Sequence, residues 1–340
     1  MEDVFRDVRD KWQKRRMGLE MSVGAECHLQ SLCFADDVLL LARSRSHLRE
    51  MLEDFVVAAC KRGLAVHPDK TKILTNADIV ASRRLPSTME ANNESFEVLG
   101  STGTAKWLGR KVRFHDPHES ELCSRIASAW GAFTRHKEEL TSRRFRLHDR
   151  LRLFNAVVSS TVLYGCETWT LRKDQQLRLR SVQRKMLRLI LNAKRWKLEP
   201  TSSDSSATDE DTEVDNMEPW AEFMKRTARW TEEQLAKAGQ SEWLDIWRRR
   251  QWRWASKLAT ADAHKWSATA SLWQPVLHSS CPRGRAQARP KKRWDQDIVA
   301  FLAEELHTCS PEWFEQAQDN EQWMKLLDRY AAFMELQLQK

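Results

Sequence analysis

The chain has 340 residues, 41% of them hydrophobic and 31% charged, with a net charge of +8 and a pI of about 9.2. That length suggests two or three domains with room for a sizeable core, and the longest apolar stretches, such as Val38–Ala42 and Val56–Cys60, are far too short to span a membrane. Seven cysteines, an odd number with no CxxC pair, indicate neither a disulfide framework nor a paired-cysteine zinc site and fit a reducing, intracellular compartment.

Residues 1–20 read as a helix, with Val4, Phe5, Val8 and Trp12 on one face. Residues 29–34 and 37–42 read as two short strands joined by a tight turn at Ala35-Asp36, since aspartate tolerates turn geometry. Ser46 is placed to cap a helix whose apolar positions are Leu48, Met51, Leu52, Phe55, Val56 and Ala59, and Gly63 is placed to end it. Residues 63–76 then read as strand, Pro-Asp turn, strand. A loop over about 78–95 leads into a glycine-rich hairpin near 97–114.

From 117 to 195 the pattern is mostly helical. The last helix, about 172–195, sets Leu179, Val182, Met186, Leu189 and Ile190 on one face. Over 172–197 ten Lys or Arg face one acid, Asp174. This excess serves either a solvated helix face or contact with nucleic-acid phosphates, through Arg178, Arg180, Arg184, Lys185 and Arg188. Between Thr201 and Glu218 there are seven acids and no Lys or Arg, the composition of a disordered linker. Eleven of the sixteen tryptophans follow. Trp243, Trp247, Trp252 and Trp254, interleaved with Arg248, Arg249, Arg250 and Arg253, suit base stacking. Yet Trp243, Trp247 and Trp254 share a helical face, which marks a buried seam. The segment Cys281–Arg293 holds six Lys or Arg and no acid. Its Arg283, Arg285, Lys291, Lys292 and Arg293 read as a phosphate-binding arm, a nuclear-localisation signal or a flexible tail.

The stretch Ser31–Ser44, SLCFADDVLLLARS, sets two adjacent carboxylates in an apolar run, where unpaired charge is costly. A hairpin resolves the conflict: the turn presents Asp36 and Asp37 at a sheet edge while its strands stay in contact with the core. Two carboxylates so placed suit phosphoryl transfer by two Mg²⁺ ions, which activate the attacking hydroxyl and steady the leaving pyrophosphate. The alternative is a solvated turn with two acids. FADDVLLLARS, then a helix, then GLAVHPDKTKIL, then KWLGRKVRF, resembles the palm of reverse transcriptases, most of all those of non-LTR (LINE-type) retrotransposons. TVLYGCETWTLRKDQQLRLRSVQRKMLRLIL and CPRGRAQARPKKRWDQDI resemble segments further along such proteins.

The resemblance implies that Asp36 and Asp37 are metal-binding and catalytic. It implies that Lys70 or Lys72 assists pyrophosphate departure, and that Trp107, Leu108 and Gly109 form a primer grip. It implies an RNA template and a DNA primer as partners, with Mg²⁺ as cofactor. In that family a first catalytic aspartate and a glycine-containing QG-P pocket motif precede the hairpin. Neither is found in this chain, which opens on MEDVFRDVRDKW. The expectation is therefore weak Mg²⁺ binding and little or no polymerisation by this chain alone, with non-catalytic nucleic-acid binding as the rival role. Any localisation beyond intracellular rests on the 283–293 segment, which admits the nucleus. Nothing in the sequence specifies an oligomeric state. The expected fold is α+β: a partial palm at 1–115, a helical thumb with the basic helix at 116–199, an acidic disordered linker at 200–218, and a Trp-rich basic helical domain at 219–340.

Overall fold

Amphipathic helix α1, Glu2–Lys14, buries the four side chains that its spacing places on one face: Val4, Phe5, Val8 and Trp12. They meet Met51, Phe55, Ala58 and Ala59 of α2, Arg45–Cys60, in the first core cluster. Polar contacts hold the two helices in register, with Trp12 Nε1 donating to Asp54 at 3.0 Å and Lys11 Nζ to its other oxygen at 2.7 Å. The computed structural model of the chain describes residues 1–21, 28–77, 86–197, 217–261, 265–272, 292–307 and 312–339. The architecture is mixed α and β, with few short strands and many helices. It divides into two units, Met1–Glu121 with Lys257–Lys291, and Leu122–Ser256 with Lys292–Lys340.

In the first unit, α2 is capped by Ser44, whose Oγ accepts from the His47 N–H at 3.2 Å. The cap expected at Ser46 thus lies two residues earlier, and Ser46 Oγ sits 3.1 Å from that of Ser44. Gly63, at φ +70, closes the helix as expected. Its N–H bonds to the Cys60 carbonyl and that of Leu64 to the Ala59 carbonyl, satisfying two terminal acceptors. A second face of α2 adds Leu52 to a small core with Ile73, Met89, Ala91 and Phe96.

Those last residues lie on a three-stranded sheet, β3 Lys72–Leu74, β4 Thr88–Ala91 and β5 Glu94–Leu99. In it β5 is central, parallel to β3 and antiparallel to β4. The β4–β5 hairpin occupies part of what reads as loop in the sequence. Its turn is Asn92-Asn93, both left-handed at φ 50 and 62, which asparagine tolerates better than other side-chain-bearing residues. The strand expected just after Gly63 does not form. Only β3 forms there, because the parallel edge of β5 supplies its partner and residues 64–71 have none. β6 Ala105–Trp107 and β7 Arg110–Val112 make the expected third hairpin.

The second unit is helical. Its centre is the helix Trp243–Ala259, which buries Trp243, Trp247 and Trp252 completely. Trp252 faces away from the other two, so this helix is enclosed on both sides, and Trp254, expected on the seam, is only half-buried. Trp252 stacks on Trp323 with ring centroids 3.8 Å apart, and each indole N–H donates to the other's carbonyl at 2.9 Å. Trp243 stacks on Phe154 and donates to Ser159 Oγ at 2.7 Å. The segments 116–199 and 219–340, expected as a thumb and a separate C-terminal domain, contribute largely to this one unit. Of the acidic segment 200–218, only Met217 and Glu218 lie within the described residues. Met217 bridges Lys197, and buried Glu218 takes a two-point ion pair from Arg226 at 2.8 and 2.7 Å.

Candidate active site and nucleic-acid interface

The FADD hairpin forms as its pattern requires. β1 Ser31–Phe34 and β2 Asp37–Leu40 pair antiparallel with Phe34 opposite Asp37, which leaves Ala35 and Asp36 as a two-residue turn. Ala35 takes the left-handed conformation at φ 53 that so short a turn demands. The base of the hairpin is anchored, since Val38, Leu40 and Ala42 pack against the α1–α2 core. The tip is open: Cys33, Phe34, Asp36 and Asp37 are exposed, Phe34 by 65%. Burial at the base and exposure at the tip answer how two charges persist in an apolar run.

Among the described residues neither the Asp36 nor the Asp37 side chain has a hydrogen bond or ion pair. Their oxygens are hard donors of the kind Mg²⁺ takes. Two carboxylates on one turn nonetheless fall short of a two-metal cage. Among the described residues no group of three His, Cys, Asp or Glu side chains is placed to hold a metal ion. The donor set therefore fits one wall of such a centre and not the whole of it.

The two candidate lysines separate. Lys72 lies on β3 opposite Glu97 of β5, and its Nζ is 2.5 Å from that carboxylate. Lys70 is exposed in the turn after Pro68, held through its backbone N–H to the His67 carbonyl, and its ammonium has no partner among the described residues. Trp107, Leu108 and Gly109 form the tip of the β6–β7 hairpin, with Trp107 opposite Arg110. Leu108 and Gly109 are both left-handed, at φ 47 and 75. For a leucine this costs roughly 1–2 kcal/mol. Buried Glu121 holds the hairpin by accepting from the Lys111 N–H at 2.8 Å and pairing with Arg110 at 3.6 Å. The Trp107 indole N–H is buried without a partner among the described residues.

The basic helix runs over Lys173–Leu191 and ends at Asn192 in the left-handed conformation. Leu179, Met186 and Ile190 are buried as expected. Leu187 takes the place expected of Leu189, which is 44% exposed. Its arginines are mostly not fully presented to solvent, and several of those expected at phosphates meet carboxylates of the chain instead. Arg180 pairs with Glu335 and lies 3.5 Å from Glu242, and Arg184 pairs with Glu232 and lies 3.4 Å from Glu242. Arg178 is half-buried and directed at the Cys123 thiol, 3.5 Å away. Arg188 is half-buried, and burial together with the Arg184 charge lowers its pKa. Lys185 is exposed, with its ammonium 5.6 Å over the Trp130 ring. Lys292 and Arg293 are likewise held inside the unit, Lys292 by Asp297 at 2.7 Å and Arg293 by both oxygens of Asp295 at 3.0 Å. Arg283, Arg285 and Lys291 lie outside the described residues.

A different group of cations stays open, and the sequence reading passed over it. Ser142–Arg152 contains five arginines and one acid, Asp149. Arg143, Arg144, Arg146 and Arg152 are exposed, and none pairs with a carboxylate among the described residues. The signal was the composition of this short stretch, which the longer basic run at 172–197 overshadowed.

Residues 1–111 match the reverse transcriptase (RNA-dependent DNA polymerase) family. The chain is also similar to a transposon-derived protein of Caenorhabditis elegans, 22% identical over 315 residues that cover 89% of this chain and 96% of the relative. No solved structure matches. The segment that carries the Asp36–Asp37 hairpin thus lies within the match to the reverse transcriptase family, residues 1–111, in a chain similar to a transposon-derived protein.

Proposed function

We propose that this chain descends from the RNA-directed DNA polymerase of a non-LTR retrotransposon and retains nucleic-acid binding without independent polymerisation. The observation that carries the reading is the hairpin, which presents Asp36 and Asp37 on a two-residue turn with no internal partner among the described residues. A carboxylate pair used only for solubility has no need of a strained tight turn anchored to a core. The subtype rests on the order of FADD, GLAVHPDKTK and WLG along the chain.

In this reading Asp36 and Asp37 are one wall of a Mg²⁺ site, with like charges that repel when no cation lies between them. Bound metal would supply charge neutralisation and a nucleophilic 3′-oxygen. With the donor set incomplete, no step is assigned to it. Lys70, exposed and without a partner among the described residues, suits a proton-donating role better than Lys72, which is held by Glu97. Trp107, Leu108 and Gly109 keep the primer-facing role that the family resemblance implies. The second reading is a purely non-catalytic RNA- or DNA-binding protein, favoured by the shortage of a third ligand among the described residues.

Primer extension on an RNA template with Mg²⁺, comparing the chain with Asp36→Asn, tests whether the carboxylate wall stands incomplete. No extension by either protein is the expected result. Extension that Asp36→Asn abolishes would show that another carboxylate completes the site.

A further inference from the structure

We infer that the arginine loop at Ser142–Arg146, with Arg152 beside it on the following helix, is a docking surface for single-stranded nucleic acid. This rests on the nucleic-acid-binding reading above and assigns it a place.

The loop joins the helices Lys137–Thr141 and Leu147–Phe154. It is fixed from below: Arg150, itself buried, donates to the carbonyls of Leu140 at 3.3 Å and Ile190 at 2.6 Å, tying both helices to the end of the basic helix. A turn shapes it, with the Phe145 N–H on the Ser142 carbonyl at 3.4 Å and the Arg144 N–H on Ser142 Oγ at 3.3 Å. Three arginines and a 51%-exposed phenylalanine therefore stand on a held loop, in the order Arg-Arg-Phe-Arg.

Charge bookkeeping within the same unit makes this loop unlike the basic helix. Arg180, Arg184, Arg248 and Arg249 each meet a carboxylate. Arg143, Arg144, Arg146 and Arg152 meet none among the described residues. Crowded cations without counter-charges repel one another, and the Arg143 charge, after burial, lowers the pKa of Arg150 below the usual arginine value. A polyanion relieves that repulsion and releases counterions on binding. The exposed ring of Phe145 between cations adds a stacking platform, which an unpaired base can use and a base inside a duplex cannot.

The test uses the full chain in fluorescence anisotropy. Its probes are a labelled single-stranded RNA, the same sequence as DNA, its duplex, and vesicles containing an anionic lipid. Replacing Arg143, Arg144 and Arg146 together by Gln should weaken single-strand binding roughly 100-fold at about 0.1 M salt and flatten the log–log salt slope by about 2, from three lost phosphate contacts. Phe145→Leu should cost about tenfold on single strands and leave the duplex unchanged. All four side chains are exposed, so the melting temperature should not fall. RNA and DNA bound alike would identify backbone and ring recognition, and a preference for RNA would add the 2′-hydroxyl.

Four results would overturn the inference. One is a triple variant that keeps wild-type affinity and slope while the wild type binds. Another is an equal loss in a control with the exposed cations Lys14, Arg16 and Lys61 changed to Gln. A third is tighter binding to vesicles than to either single strand, abolished by the triple variant. The last is a wild type that binds no nucleic acid at all, in which case the parent reading fails as well.

Discussion

The hairpin tip and the core of the helical unit put charge to opposite uses. At the tip of the β1–β2 hairpin Asp36 and Asp37 stand side by side in solvent with no counter-charge among the described residues. In the helical unit Arg180, Arg184 and Arg248 are drawn inward and neutralised by Glu232, Glu242 and Glu335. Arg248 is a guanidinium only 3% exposed, and such a group is tolerated inside only when paired. The contrast teaches that charge density along a sequence does not locate a binding site. What the fold adds is which charges are left unanswered among the described residues.

Changes in the helical core should break the contrast most severely. Trp252→Ala removes a ring stacked on both Trp323 and Tyr330 and an indole N–H bonded to the Trp323 carbonyl. It should destabilise the helical unit by about 3–5 kcal/mol, read as a lowered urea midpoint. Glu335→Gln comes next. It keeps the shape but strips the charge from the acceptor of Arg180 and Arg248, and should cost roughly 1–3 kcal/mol. That is less than a fully enclosed pair would lose, because Glu335 keeps part of its surface in water.

The same carboxylate sets a pH dependence. Burial pushes the Glu335 pKa up, but hydrogen bonds from Arg180 and Arg248 outweigh it and hold the value at about 2, below the ordinary 4.5. A depressed folded pKa means stability that is full above about 4.5 and drains as pH falls toward 2. Melting curves across that window should slope less steeply in Glu335→Gln than in the wild type. Equal slopes would mean the acid sensitivity arises elsewhere.

The first unit should respond more mildly. Ser44→Ala removes the hydroxyl that accepts from the His47 N–H and should cost about 1 kcal/mol by chemical denaturation, with Ser46 too far along to replace it. Smallest of all, Asp36→Asn and Asp37→Asn should change stability by less than about 0.5 kcal/mol, because exposed side chains without partners have little to lose. A loss comparable to that of Glu335→Gln would show these carboxylates to be structural and would remove the main support for the proposed function.

Much of the first unit was legible because its information is local. The spacing of Val4, Phe5, Val8 and Trp12 is the helical period itself, and Ala35-Asp36 is a turn between two apolar runs. Where the reading slipped, the missing information was also specific. Ser44 and Ser46 differ as caps only in backbone conformation, and Ser44 has the extended one. The strand β4, Thr88–Ala91, is too short and mixed to alternate visibly, and the asparagine pair after it is a weaker turn mark than glycine. The ion pairs of the basic helix were illegible for another reason. Arg180 and Glu335 are 155 positions apart, and no pattern within the helix marks which of its charges will be answered from so far along the chain.

That separation also bears on synthesis. A ribosome makes the chain from its N-terminus, and domains tend to fold as their parts emerge. The hairpin closes across two residues and is complete almost as soon as Leu40 appears. Arg180 emerges 155 residues before Glu335 and Arg248 87 residues before it, so the nascent helical unit carries both arginines before the glutamate they share. Its final packing is therefore a late event, which waits on the helix Leu327–Gln339 that carries Glu335 together with the buried Tyr330 and Met334.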